Sequence, residues 1–171
     1  DSAVWTSYSY DGLGRTLSVT APGSAAKTYA YSYNTVTVTD EAGKWKQYWM
    51  DGFGNVTQVR EPDPASPGTS SYYTYYTYDV LNHLTGVNMP RPSGTQTRTF
   101  NYSGPYLMSA QNPENGTVTY TYGTGGLLAS KTDAKGQQVQ YSYDSYGRLS
   151  QVRHYALNLQ GTLVEDPCQQ V

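Results

Sequence analysis

Four aspartates stand at one recurring place in this chain. Asp11, Asp51, Asp79 and Asp144 each open a short turn, in DGLG, DGFG, DVLN and DSYG. Carboxylates can do chemistry: two that face each other across a substrate at roughly 5 to 9.5 Å would hydrolyse a glycoside, and a row of them could collect Ca²⁺. Equivalent turn positions argue against the first use. They line the aspartates along one edge of a sheet, two strands apart at about 4.8 Å per strand, each free to cap its own turn. Calcium β-rolls need a repeated glycine-aspartate nonapeptide, and Gly123-Thr-Gly-Gly126 alone is not one. Of the two histidines, His83 occupies the place after the turn where other copies have Arg15, Arg148 or Asn55, so it reads as a turn residue; His154 has no partner motif. Arg15 and Arg148 follow Gly14 and Gly147, where a planar cation can bridge a carboxylate or stack on a tyrosine. The one cysteine, Cys168, excludes an internal disulfide framework and reads as an unpaired tail residue. No catalytic, metal or cofactor site is expected.

The elements that carry these turns are strands. Aromatic pairs at i and i+2 precede most of them: Tyr8/Tyr10, Tyr31/Tyr33, Tyr76/Tyr78, Tyr120/Tyr122 and Tyr141/Tyr143. Strict alternation of this kind marks a half-buried strand, and Asp-x-x-Gly between two such runs marks a hairpin. Gly at the fourth turn position, as at Gly54, accepts positive φ. The motif returns at 79, 101, 123 and 144, a period of about 21 to 22 residues. A second turn falls inside each period, at APG 21–23, DEAG 40–43, PRPSG 90–94, NPENG 112–116 and DAKG 133–136. Each period is therefore strand, turn, strand, turn. Composition agrees: Ile is absent, Tyr supplies 19 residues, and the net charge is only -2. That is an ordered, all-β chain rather than a disordered one. The repeat array is expected over 1–155, interrupted by REPDPASPGTSS at 60–71, whose Pro, Ser and Gly should not continue a central strand. Residues 156–171 are expected as a tail with at most one more strand.

Tyr8-Ser-Tyr-Asp-Gly-Leu-Gly-Arg15 and Tyr141-Ser-Tyr-Asp-Ser-Tyr-Gly-Arg148 resemble the tyrosine–aspartate (YD) repeat of the RHS family, and the resemblance covers about residues 5 to 155. It implies a strip of antiparallel β-hairpins that forms part of a β-spiral shell. Such shells enclose a C-terminal toxin domain in bacterial polymorphic toxins and insecticidal toxin complexes, and form a barrel in teneurins. A complete member would carry more repeats, a core-terminating segment and a toxin domain, none of which is found here; Glu165-Asp-Pro167 is too short to count. No signal-peptide pattern opens the sequence, which starts in a strand-like segment as a piece of a longer chain would.

The expected function is structural: wall of an encapsulating shell, or a secreted or surface unit, bacterial by the resemblance's implication, pairing with neighbouring repeats or other copies through its sheet edges. Few Lys and Arg exclude a nucleic-acid footprint, and no apolar run approaches the ~20 residues of a membrane helix. The tyrosines are expected to stack in ladders on one face. The competing class is a carbohydrate-binding module whose platforms would be the off-phase rings Tyr72, Tyr73 and Tyr146.

Overall fold

The computed structural model describes residues 4–166, so the readings at Pro167 and Cys168 lie outside the described residues. Fifteen strands form one antiparallel sheet in which spatial order equals chain order. They are β1 (Ser7–Tyr10), β2 (Thr16–Thr20), β3 (Ala26–Ser32), β4 (Thr35–Thr39), β5 (Trp45–Met50), β6 (Val56–Pro62), β7 (Ser71–Tyr78), β8 (Leu84–Arg91), β9 (Gly94–Ser103), β10 (Tyr106–Asn112), β11 (Gly116–Tyr122), β12 (Leu128–Thr132), β13 (Gln138–Tyr143), β14 (Leu149–Leu157) and β15 (Leu163–Glu165). Among the described residues the one helical segment is a 3-10 turn, Thr124–Gly126. In such a meander alternate turns fall at the same end of the strands. The turns at Asp11, Asp51, Asp79 and Asp144 therefore share one edge. Those at Asp40 and Asp133 share the other.

The chain divides into two compact units, Asp1–Tyr76 with Asn88–Thr95, and Thr77–Val87 with Gln96–Val171. In the first, one cross-strand row runs Tyr31–Val36–Tyr48–Val59–Thr74 through β3 to β7. Directly opposite side chains of this kind are the unit of sheet stabilisation. Rings thus alternate with Val, instead of ring meeting ring as a tyrosine ladder would have it. In the second unit, Phe100–Ala110–Val118 makes a similar row. Among the described residues only Ala110, Val118, Thr74 and Ser130 are buried, and no side chain is enclosed completely.

A shared irregularity marks the repeat. Tyr10, Met50, Tyr122 and Tyr143 each pair with the first residue of the following strand (Thr16, Val56, Leu128, Leu149) after one residue of that strand is skipped. A bulge at the same point of each hairpin gives these four positions a common register.

Two sequence expectations are corrected. Tyr33 is not in a strand: it sits in the two-residue turn between β3 and β4 with φ 49° and a fully exposed ring. The neighbouring Asn34 fixes that turn, its Nδ2 donating to the Met50 carbonyl at 2.9 Å and its carbonyl accepting from Met50 N–H at 2.9 Å. The strand pair is therefore Tyr29/Tyr31. Residues 60–62 do continue a strand, because Arg60, Glu61 and Pro62 pair with Tyr73, Tyr72 and Ser71, and Pro62 comes last, where one missing N–H interrupts nothing beyond it. In the segment expected as a tail, β14 runs through Leu157 and Asn158 opens a turn into β15, the one further strand allowed there, which pairs with β14.

Candidate functional site

Eight turns are built alike, opening at Asp11, Asp40, Asp51, Asp79, Gly123, Asp133, Asp144 and Asn158. In each, the first residue's N–H donates to the fifth residue's carbonyl, and the fourth residue's N–H donates back to the first residue's carbonyl. Where the first residue is Asp or Asn, its Oδ1 also accepts the N–H groups of the third and fifth residues, at 2.8–3.0 Å. The side chain thereby satisfies donors that the hairpin leaves over. Asp40 and Asp133, read from sequence as a separate class of second turn, make the same structure.

The second carboxylate oxygen distinguishes the copies. Oδ2 of Asp11 takes Arg15 Nε at 2.7 Å, Asp51 takes Asn55 at 3.0 Å, Asp79 faces His83 Nδ1 at 3.0 Å, and Asp144 takes Arg148 Nε at 2.7 Å. The carboxyl groups of Asp11, Asp79 and Asp144 are held below their ordinary range first by the backbone N–H of the fifth residue, and that of Asp51 first by the Asn55 side chain. All four stay ionised and are spent on their own turns. A proton donor for hydrolysis needs the opposite shift.

Two fifth-position side chains continue onto a ring. Arg15 lies over Tyr31 at 4.3 Å, and His83 stacks on Tyr102 at 4.5 Å, with their planes 17° apart. Carboxylate, planar nitrogen group and tyrosine form a three-layer contact. Two ladder tyrosines match in a different way: Tyr122 and Tyr143 donate their hydroxyls at 3.0 Å to the carbonyls of Leu107 and Leu128, each fifteen residues upstream. Tyr8 and Tyr10 stack at 6.4 Å on an exposed strand, Tyr76 and Tyr78 lie in β7, and Tyr120 and Tyr141 lie opposite Lys131 and Val152.

The three rings offered as a glycan platform do not come together. Tyr72 and Tyr73, adjacent in β7, point to opposite faces. Tyr72 is in phase with Thr74 and Tyr76 rather than off it; Arg91 covers its ring at 4.8 Å and Asp63 binds its hydroxyl, raising its pKa. Tyr73 stacks on Tyr75 at 6.2 Å, with Arg60 6.0 Å from its ring. Tyr146 lies apart on an exposed turn beside Arg148. His154 lies opposite Val139 and lines a small polar niche of about 170 Å³ with Asp133 and Asp166. Among the described residues no three His, Cys, Asp or Glu side chains gather as metal ligands would.

A feature that sequence reading missed is a groove of about 950 Å³ in the first unit. It lies between the proline-bearing loop 63–70 and one face of β3 to β6. The loop is shaped by Asp63, whose Oδ1 accepts from Ala65 N–H at 2.9 Å and whose Oδ2 accepts from Ser70 Oγ at 2.7 Å. The signal available was the Pro/Ser/Gly composition of 60–71, which marks a loop but not what the loop covers.

Comparison with known proteins now bears on these turns. Residues 104–169 match the family model described as Teneurin YD-shell. A search of the curated proteins found no match. Among solved structures, a TcdB2-TccC3-TEV crystal structure aligns with TM-score 0.74 at 14% identity, and a Photorhabdus luminescens Tc holotoxin pore with TM-score 0.73 at 13% identity. A TcdB2-TccC3 structure without its hypervariable C-terminal region gives 0.72 at 14%. In each case 94% of this chain is covered, and the chain spans about 9% of the length of the protein it matches. The chain is thus similar in sequence to the Teneurin YD-shell model over residues 104–169, and in fold to the TcdB2-TccC3 structures over 94% of its length.

Proposed function

We propose that this chain is a non-catalytic stretch of shell wall, extended across its sheet edges by further repeats of a longer chain or by other copies of itself. In this reading the wall encloses a polypeptide, a toxin domain being the occupant that the related shells suggest, and it works outside the cell that makes it. The observation that carries the reading is the pairing of one uninterrupted meander with the near-absence of buried side chains: four among the described residues. A self-sufficient domain buries a face of its sheet against another layer. A repeat wall takes much of its stability from neighbouring repeats.

The edge strands supply the joint. β1 has all four residues exposed, and just before it stand Val4 and Trp5, 72% and 77% exposed. An uncapped edge of this kind is a template for another strand, and head-to-tail pairing gives rings or filaments instead of closed dimers. Light scattering and electron microscopy across a concentration series test it. Association that Trp5→Lys with Ser7→Pro suppresses is the expected result. A monodisperse monomer at high concentration, from a reading frame with no further repeats on either side, would overturn the proposal.

A further inference from the structure

We propose that the groove under loop 63–70 binds an acidic oligosaccharide, of the uronate-bearing class. The site is independent of the wall reading, since it lies on a sheet face and not on an edge. At about 950 Å³ it falls at the upper end of small-ligand sites, with room for several sugar rings. Tyr48 and Tyr72 form its aromatic walls, and Pro62, Pro64 and Pro67 its rim.

Charge selects the ligand. Lys27, Lys44 and Lys46 face Asp40 and Glu61. Glu61 is already neutralised from two sides, by Lys46 at 2.8 Å and Arg91 at 3.4 Å. Lys27, 5.7 Å from the ring of Tyr29, and Lys44 then face the single carboxylate of Asp40, a surplus of one positive charge in a chain whose net charge is -2. The repeat explains why Lys44 is available. In the turns of Asp11, Asp51, Asp79 and Asp144 the fifth side chain is tied to Oδ2; in the Asp40 turn, as in the Asp133 turn with Gln137, it is not, and Asp40 and Lys44 are joined through Oδ1 with the Lys44 N–H and through the Asp40 N–H with the Lys44 carbonyl, both at 2.8 Å. Both Asp40 Oδ2 and Lys44 Nζ are left to act on the groove, as an acceptor for hydroxyl groups and a donor for a carboxylate.

A sugar suits the groove better than an extended acidic peptide does. β3 to β6 are each paired on both sides, so the floor offers no free main chain for an added strand. Recognition must come from rings, ammonium groups and carboxylates, which together match a ligand with flat C–H faces, hydroxyls and a carboxylate of its own.

Calorimetric titration of the intact chain with tetragalacturonate, its fully methyl-esterified form and an oligoglutamate peptide tests the proposal. Saturable binding of the acid is expected, weakened about tenfold or more by esterification and by Lys44→Glu, with Lys44→Arg restoring it. Lys44 is an exposed turn residue, so its variants should keep the far-UV circular dichroism of the parent. Absence of saturable binding, equal binding of the ester, indifference to Lys44→Glu, or equal binding of oligoglutamate would each overturn it.

Discussion

The fourth turn position offers a controlled test, because the same backbone conformation recurs with different surroundings. Gly14 and Gly126 have φ of 77° and 75°. A Cβ at Gly14 would meet nothing within 4 Å, whereas one at Gly126 would lie 2.7 Å from Cζ of Tyr106. In Gly14→Ala only the backbone responds. An L-residue in the left-handed region costs about 1–2 kcal/mol, offset by about 0.4–1 kcal/mol from the stiffer unfolded chain, for a net loss near 1 kcal/mol. Gly126→Ala carries the same loss and must also move the Tyr106 ring, which packs on Tyr122 at a centroid distance of 4.8 Å. Losing that pair adds about 0.5–1.5 kcal/mol. For a chain of this length each kcal/mol moves Tm by about 2–4 °C, so Gly14→Ala should fall by about 2–4 °C and Gly126→Ala by roughly twice that. Asn82, which holds the same place with φ 70°, supplies the control. Asn tolerates this region, so Asn82→Gly should change Tm little. Melts followed by far-UV circular dichroism decide the matter. A neutral Gly14→Ala, or equal losses at Gly14 and Gly126, would refute the reasoning.

Two further predictions follow from the same contacts. The carboxyl groups of Asp11, Asp51, Asp79 and Asp144 are lowered from 3.8, so their contribution is complete above that pH and fades as pH falls through it. Urea midpoints should therefore drop on acidification below about pH 4, and Asp144→Asn, which keeps an Oδ1 acceptor as Asn158 does, should show a flatter acid limb; an unchanged slope would count against it. Arg91 donates to the Tyr73 and Pro90 carbonyls at 2.9 and 2.8 Å while covering Tyr72. Arg91→Lys cannot keep this fork and should cost about 1–3 kcal/mol in urea unfolding; a loss under about 0.5 kcal/mol, the scale of a surface change, would refute it.

Much of the fold was legible because the turns are written in residues with a single structural use. Asp-x-x-Gly marks five of the eight like turns, and DVLN at Asp79, GTGG at Gly123 and Asn158-Leu-Gln-Gly161, the last in the segment read as tail, make the same two backbone hydrogen bonds. Tyr33 misled because alternation continues through it. Tyr31 and Tyr33 look like one strand, and only the Asn34–Met50 pairing, a contact across sixteen residues, decides that the chain turns there. Phase hid the role of Tyr72 for the same reason: whether a ring is free depends on Arg91, a residue of the next hairpin. The groove was illegible outright. Its lysines are unremarkable in sequence and gain meaning from Glu61 and from the Asp40 turn, whose carboxylate does not hold the fifth side chain.

The three-layer contacts show how one repeat depends on the next. Asp11 holds Arg15 within its own turn, but the ring that covers Arg15, Tyr31, belongs to β3, two strands on. Asp79 and His83 likewise wait for Tyr102 of β9. The turn carboxylate is local and forms with its hairpin; the ring is supplied only when a further hairpin has been laid down. Exposure tracks that supply. His83, with its ring in place, is 24% exposed, and Arg15 45%, whereas Arg148, which Asp144 holds in the same way but which has only Tyr146 of its own turn at 5.1 Å, is 75% exposed. A planar side chain held by its turn and covered by the strand two further on couples the free energy of one hairpin to the next. At the Asp11 and Asp79 turns the following hairpin finishes the contact, and this helps a sheet with so few buried side chains hold together as a repeat.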